Sequence, residues 1–515
     1  MATVALGSKA GKWIMASSIM ASAMAFIDAT ALNVVLPSLQ KNLNASGTDL
    51  FWILNAYLLM LAALILIGGS LGDKLGRKKV FMVGILIFII GSTACGFAPS
   101  VTLLVIFRML QGIGGALMIP GSLSLISSSI NPNERGKAIG TWSAFTTFVT
   151  MGGPVLGGAF GDAGLWRYIF FINIPIGIFA LTVLAKQVKE IKDEDTKQSL
   201  DLAGAVAIAL GLAAVTFGFL RIPAVGLSNW QVYTSLITGA LLLVAFVVIE
   251  KKSKLPMMPL QLFSNLTFSG ANLLTFFLYA GLGAGMLFLG LNMVQVQGYS
   301  QLQSGLTFLP FTILMITIAR FAGALADKHG PRLLLIVGPA LAGLGLLILS
   351  FVKQTAGPSA YWTTFFPGIV VFGLGMSFTV APLTTAVMGS VSDHFSGTAS
   401  GVNNALTRIA NVFANAILGA LAVLLFTGAL QGEIKNIKLN NKQKQEVIKQ
   451  SVNLGNAKVP DTLTGQDKIT IQTAYKNSFI SAYGNIMRIS AGLGFLASLM
   501  AVLFIKNSAV KKGKE

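Results

Sequence analysis

Charge is scarce in this chain. Asp, Glu, Lys and Arg make up 11% of its 515 residues, against about a quarter in an ordinary soluble domain. Acids are the scarcer sign, 18 against 37 lysines and arginines, for a net charge of +19. There is one cysteine, Cys95, and there are two histidines, His329 and His394. A single cysteine excludes a disulfide framework. Cys95 lies in an apolar run and both histidines fall in loops, so the apolar segments hold neither a metal-ligand cluster nor a nucleophile beside a base. No G-x-x-x-x-G-K-[ST] stretch occurs, which excludes nucleotide hydrolysis by a phosphate-cradling loop of that type. A membrane-embedded enzyme therefore has little to work with. A nucleic-acid binder is excluded too, because the lysines are spread through loops and no basic domain stands apart from the apolar blocks.

Apolar sequence dominates what is present. Hydrophobic residues make up 54% of the chain and the mean hydropathy is +0.75. They come in blocks of about 20, the length a helix needs to cross a bilayer. The short segments of alternating polarity that mark a membrane strand barrel are missing. The expected fold class is an all-α polytopic membrane protein. About fourteen spans can be placed, near 13–38, 50–70, 79–98, 101–125, 138–160, 167–186, 201–221, 232–250, 266–291, 304–325, 332–352, 361–387, 398–428 and 478–506. The first apolar stretch is long and lacks a cleavage site after it, so it reads as a retained span.

Sidedness follows from the loops. Lys74, Arg77, Lys78 and Lys79 share one parity with Arg135 and Lys137, Lys186 to Lys197, Lys251, Lys252 and Lys254, Lys328 and Arg332, and the tail Lys511, Lys512 and Lys514. A basic excess marks cytoplasmic loops, which places both termini in the cytoplasm. The segment 429–477 is also basic but falls on the opposite side, where the rule weakens for long loops. Its stretch NNKQKQEVIKQSV reads as a short surface helix, in a loop that is either passive or a cover over the outer mouth.

The chain contains a repeat. GSLGDKLGRK (Gly69–Lys78) and GALADKHGPR (Gly323–Arg332) align without gaps, pairing Gly69 with Gly323, Asp73 with Asp327 and Gly76 with Gly330. Each joins two spans on the cytoplasmic side. Glycine permits the tight turn, and Asp73 is a candidate to cap the helix that follows. Equivalent turns after the second and tenth spans imply two six-span halves with two further spans between them: 1–187, 188–262 and 263–515. Repeated halves around a midplane site are a recurrent transporter design. Each turn is either a topology marker or a gate that breaks and reforms.

Asp28 is the one carboxylate well inside a span. It lies about 15 Å below Pro37, and Arg108, on a span running the other way, about 10 Å below Val101. The depths agree to about one turn, so the two side chains are within reach of each other. Burial and a neighbouring arginine bias a carboxylate in opposite directions, and conformation or ligand can then decide whether it carries a proton. The alternative is a permanent pair that only holds helices together. A second polar stripe, Asn404, Arg408, Asn411 and Asn415, shares one helix face; Asn272, Thr275 and Tyr279 share another. With Asn33 and Gln111 these outline a water-filled cavity, although each amide alone is equally an interhelical hydrogen bond.

GGSLGDKLGRKK resembles the loop signature of the major facilitator superfamily, and RMLQGIGGA (Arg108–Ala116) the fourth-span motif of its proton-coupled drug exporters. GGPVLGG (Gly152–Gly158) with Gly140 upstream resembles the antiporter motif of the fifth span: Gly140, Gly153, Pro154, Gly157 and Gly158 fit it, and Val149 replaces one of its glycines. IDATALNVVLPSL and WRYIFFINIPIG resemble the fourteen-span drug:proton antiporters in particular, over nearly the whole chain. The resemblance implies a major facilitator fold of two six-helix bundles plus two extra central spans. It implies proton-coupled export of lipophilic or cationic drugs by alternating access, with Asp28 and Arg108 coupling protons and Asn33, Gln111, Asn272, Tyr279, Asn404 and Arg408 lining the cavity. Gly69, Asp73, Gly76, Arg77, Asp327 and Arg332 then form the cytoplasmic gate. No cofactor is expected beyond a proton gradient. The expected partners are membrane lipid, protons and a small amphipathic substrate, for a monomer in the cell membrane of a bacterium. Carriage of one specific metabolite is the alternative within the same class, and a sensor or channel the alternative outside it.

Overall fold

In the computed structural model, the described residues are 3–188, 190, 201–253, 256–392 and 395–506; the side chains of Ser70, Asp73, Pro132, Thr147, Met151, Ser396 and Gly397 are not among them. Lys189 and most of the basic loop to Lys197, Lys254, the Asp393–His394 pair and the tail lysines thus fall outside. The described residues are nearly all helical. Thirteen helical segments are long and apolar enough to cross a membrane. The remaining expected span falls on Arg135–Asp162, a helix of 28 residues that opens on Arg135 and Lys137.

The first helices are α1 (Lys9–Leu43), α2 (Gly47–Leu75), α3 (Arg77–Phe97), α4 (Val101–Ser129), α5 (Arg135–Asp162), α6 (Tyr168–Phe171) and α7 (Asn173–Gln187). Then come α8 (Leu202–Val225) and α9 (Trp230–Lys252), at the place of the two extra spans. The remainder are α10 (Leu266–Gln295), α11 (Gln301–Leu306), α12 (Leu309–His329), α13 (Arg332–Leu349), α14 (Tyr361–Ser377), α15 (Val380–Gly389), α16 (Ser396–Glu433), α17 (Asn441–Lys449) and α18 (Gly465–Phe504). By contact the chain forms two compact units. One comprises Met1–Val35, Ile53–Ala214 and Ile237–Leu260; the other comprises Leu36–Trp52, Val215–Leu236 and Gln261–Glu515.

Within the first unit, small residues set helix spacing, as expected where lipid supplies no hydrophobic drive between helices. A Cβ on Gly114 would strike the Phe88 backbone of α3, and one on Gly84 would meet Met118 of α4 at 2.9 Å. The same device recurs in the second unit, where Gly345 of α13 abuts Phe372 of α14, and a Cβ on Gly343 would meet the Ala491 carbonyl of α18 at 2.8 Å.

The repeated turns share one backbone. Gly76 (φ 109°) and Gly330 (φ 87°) both sit in the left-handed half of φ space, each between two helices, where a Cβ would be strained. The capping expectation changes in one respect. Helix α2 runs through to Leu75, so Asp73 is inside it, and the Gly76 cap of α3 receives no side-chain hydrogen bond. Glu190, beyond α7, takes that place: its carboxylate accepts from the Lys78 and Lys79 amides, each at 3.1 Å. In the second copy Arg332 donates to the Val502 carbonyl of α18 at 3.1 Å, and Thr385 donates to Asp327 at 3.3 Å.

The surface helix expected in 429–477 is α17, begun by a reciprocal Asn440–Gln443 capping box. The segment after it is seated within the second unit. Gln40 donates to the Asn453 carbonyl at 3.3 Å and accepts from Asn456 at 2.7 Å and Gln295 at 3.0 Å. Tyr475 donates to the Val447 carbonyl at 3.1 Å, and Leu454 is buried beside Gly47.

Candidate functional site

Asp28 and Arg108 meet in the first unit. Arg108 Nη1 donates to Asp28 Oδ2 at 2.5 Å and to Gln111 Oε1 at 2.8 Å, and Gln111 Nε2 donates to Asp28 Oδ1 at 2.9 Å. Gln111 is one turn beyond Arg108 on α4, so one helix face presents both partners to α1. The ring closes on itself: each carboxylate oxygen has a donor, and the amide bridges cation and anion. All three side chains are within 1% of complete burial. Arg108 Nε donates to the Ile53 carbonyl at 3.4 Å, and the Tyr57 ring lies 4.4 Å from the guanidinium carbon. The Cys95 thiol reaches Gln111 Oε1 at 3.8 Å.

Two features of this ring matter chemically. With Asp28 ionised and Arg108 charged the pair sums to zero, and adding a proton to Asp28 would leave a net positive charge in a low-dielectric interior. Its neutrality also means that it offers no uncompensated charge to a cationic ligand. Tyr57 and the Ile53 carbonyl escaped the sequence reading. An aromatic ring in an apolar run has no polar signature, and a backbone carbonyl has none at all; the only signal was Tyr57's place on the span next to α1.

The fifth-span glycines bear on the same helix. A Cβ on Gly153 would strike the Thr30 hydroxyl, and one on Gly157 would strike the Ala31 carbonyl. Both contacts are within a turn of Asp28, so α5 fixes the segment of α1 that carries the acid. Pro154 lies inside α5 and Gly158 is buried, whereas Gly140 is exposed and a Cβ on it would meet nothing within 4 Å. Asn33 is half-buried and donates to the Ala29 carbonyl of its own helix at 3.3 Å.

The polar residues of the second unit divide differently from their sequence grouping. Asn272 and Thr275 are buried and both accept from Asn403, at 3.2 and 2.7 Å, which ties α10 to α16. Asn404, next in sequence, is exposed and bonds the Ser400 carbonyl of its own helix at 3.0 Å. Asn403 is thus the residue that joins the helices, one position from the stripe that periodicity picked. Arg408 and Tyr279 are both half-buried. Asn411 packs on Gly283 and bonds back to the Thr407 carbonyl at 3.0 Å. In the first repeat a Cβ on Gly69 would meet nothing within 4 Å, and the side chain of Asp73 lies outside the described residues.

Comparison with known proteins agrees with this architecture. The sequence model of the Major Facilitator Superfamily matches residues 19–415. The chain is 28% identical over 496 residues to the tetracenomycin C resistance and export protein of Streptomyces glaucescens, covering 96% of this chain and 91% of that one. It is 31% identical over 416 residues to multidrug resistance protein Stp of Mycobacterium tuberculosis, covering 80% and 76%. To the multidrug transporter protein MdtP of Bacillus subtilis it is 30% identical over 399 residues, covering 77% and 72%. Among solved structures, a bacterial homolog of the human lysosomal transporter Spinster matches with a TM-score of 0.65 at 18% identity, covering 96% and 98%. A D-xylose-proton symporter matches at 0.59 and 15%, with the same coverage. At those identities the structural likeness is one of fold.

Proposed function

The chain belongs to the Major Facilitator Superfamily, and from that membership we propose that it exports amphipathic small molecules in exchange for protons, with Asp28 as the proton carrier. The observation that carries the reading is the closed, buried ring of Asp28, Arg108 and Gln111. An ionisable group at bilayer depth is costly and marks proton or substrate pathways. Protonation of Asp28 would weaken its bond to Arg108 and leave the guanidinium in need of an acceptor, so gain of a proton and rearrangement of the ring are one event. Gln111 can turn its amide to either partner and would hold whichever is released. Gly153 and Gly157 of α5 keep the acid-bearing turn of α1 in register while this happens.

In this reading the driving force is a proton gradient without a bound cofactor, the working unit is a monomer, and transport proceeds by alternating access of two six-span halves with α8 and α9 between them. The basic loops favour cytoplasmic termini. The names of the relatives favour drugs as cargo, and Asn33, Tyr279, Asn404 and Arg408 are the candidate contacts. The repeat turns, with Gly69, Gly76 and Arg77 answered by Asp327 and Arg332, are the candidate cytoplasmic gate.

Dye flux in inverted membrane vesicles with an acidic lumen tests the proposal. Wild type should accumulate dye, and Asp28→Asn, which keeps the shape but removes the titrating group, should not. Equal accumulation by both would make the ring a structural pair and end the proton-carrier reading.

A further inference from the structure

Helices α8 and α9 meet along small residues. A Cβ on Gly211 would lie 3.0 Å from the Leu243 side chain. About two turns nearer the start of α8 and the end of α9, the same packing brings Gly204 opposite Glu250. A carboxylate therefore stands where the previous step of the seam holds leucine. Glu250 is only 2% exposed, and its Oε2 accepts from the Met258 amide beyond α9 at 3.0 Å. Across from it, Asp201 precedes α8 and caps it, Oδ1 accepting from the Gly204 amide at 2.8 Å. The second oxygen of each acid, Glu250 Oε1 and Asp201 Oδ2, is sealed from solvent and has no hydrogen-bond partner. Both border one spot: a Cβ on Gly204 would lie 3.1 Å from the first and 2.9 Å from the second. All these residues belong to the first unit.

No cation among the described residues answers these two oxygens. The elements that meet here are α8, α9 and residues 256–260. Lys251 and Lys252 follow Glu250 but are exposed, Arg221 is near the far end of α8, and residues 256–260 carry no charge. Nor do the described residues group a third His, Cys, Asp or Glu with the pair to hold a metal ion, and a hard cation takes about six or more oxygen ligands. An ionised carboxylate only accepts hydrogen bonds, so two of them cannot satisfy each other. One proton turns one of the pair into a donor and removes the repulsion. We propose that Asp201 and Glu250 share a single proton at neutral pH and form a second proton site, separate from Asp28, that clasps the start of α8 to the end of α9. Loss of that proton leaves two sealed like charges side by side, so the clasp loosens as the medium turns alkaline. The two extra spans thereby gain a pH-sensitive element of their own, which does not depend on the exporter reading.

The test is infrared spectroscopy of the full-length chain in dodecyl maltoside, a detergent without an ester carbonyl. At about pH 7 ordinary carboxyls, which titrate near 4, are ionised and lack the carbonyl stretch of a protonated acid. Wild type should show that stretch and lose it as the pH is raised. Asp28→Asn should keep it; Glu250→Gln and Asp201→Asn should each abolish it. Glu250→Gln still accepts from the Met258 amide and can donate to Asp201 in the proton's place, so it should fold. Thermal melting gives a second readout. Unfolded chains hold both acids ionised near neutral pH, so the folded state binds the extra proton, and its stability falls as rising pH removes it. Wild type should therefore lose melting temperature on alkalinisation more steeply than Glu250→Gln. Absence of the stretch near neutral pH overturns the proposal. So does a stretch that survives Asp201→Asn, which would make Glu250 neutral by itself, or one lost in Asp28→Asn alone, which would assign it to the ring. Calcium that raises the melting temperature of wild type but not of Glu250→Gln would overturn it as well, by making the pair a cation site.

Discussion

Removing Arg108 would leave the Asp28 carboxylate with one partner, the Gln111 amide, in a site that admits no solvent. Breaking a buried ion pair from one side costs about 3–5 kcal/mol, because the remaining charge is stranded. Arg108→Ala should therefore lower the melting temperature of the detergent-solubilised protein markedly, and Arg108→Ala with Asp28→Asn should recover part of the loss. A double variant no more stable than the single one would mean that the Tyr57 and Ile53 contacts of Arg108, rather than its pairing, carry the effect. At this scale the sequence was informative where a residue type was out of place. An acid in an apolar span and an arginine at matching depth were legible, whereas Gln111 read as a cavity-wall residue and not as the third member of the ring. Asn403 was not, since two adjacent asparagines differ by about 100° around a helix and nothing local says which one faces α10.

The α1–α5 contact shows how an element can be tuned by what it lacks. With Gly153 and Gly157 facing Thr30 and Ala31, the helices approach as closely as backbones allow, and any side chain at either position must push them apart. Gly157→Leu should cost about 1–3 kcal/mol by overpacking and should abolish dye accumulation, whereas the same change at Gly140, which has open space around it, should leave both folding and uptake near wild type. Equal tolerance at the two positions would remove α5 from any part in placing Asp28. Periodicity and hydropathy located most helices to within a turn. They failed at the breaks, such as Ile172 between α6 and α7 or Phe378 between α14 and α15, where the chain stays apolar and only tertiary packing decides the bend. The Glu190 cap on α3 was illegible for a related reason, since its partners are more than a hundred residues away in sequence.

For the molecule as a whole, the repeat was the most productive line in the sequence. Two ten-residue stretches implied two equivalent halves, and their glycines do adopt one shared backbone. Gly76→Ala and Gly330→Ala should each cost about 1–3 kcal/mol, because positive φ with extended ψ is a region open essentially to glycine alone. Drops in thermal stability should appear at both turns and be larger at Gly76, where a Cβ would strike the Glu190 carboxylate; a loss at one turn only would show that the copies have diverged in what they bear. The placement of 450–456 against Gln40 could not be anticipated, because glutamine and asparagine pairings across some 400 residues leave no periodic trace.

Cys95 gives the molecule a built-in clock. It is the chain's one thiol, it is fully buried, and it rests against the Gln111 oxygen. A maleimide added to the wild-type protein can therefore react only during the moments when α3 and α4 loosen around the Asp28 ring. With maleimide in enough excess that labelling outpaces reclosing, the rate of that single event counts those openings without an engineered cysteine, and its change at fixed pH with a bound substrate would time the step that a flux measurement only sums.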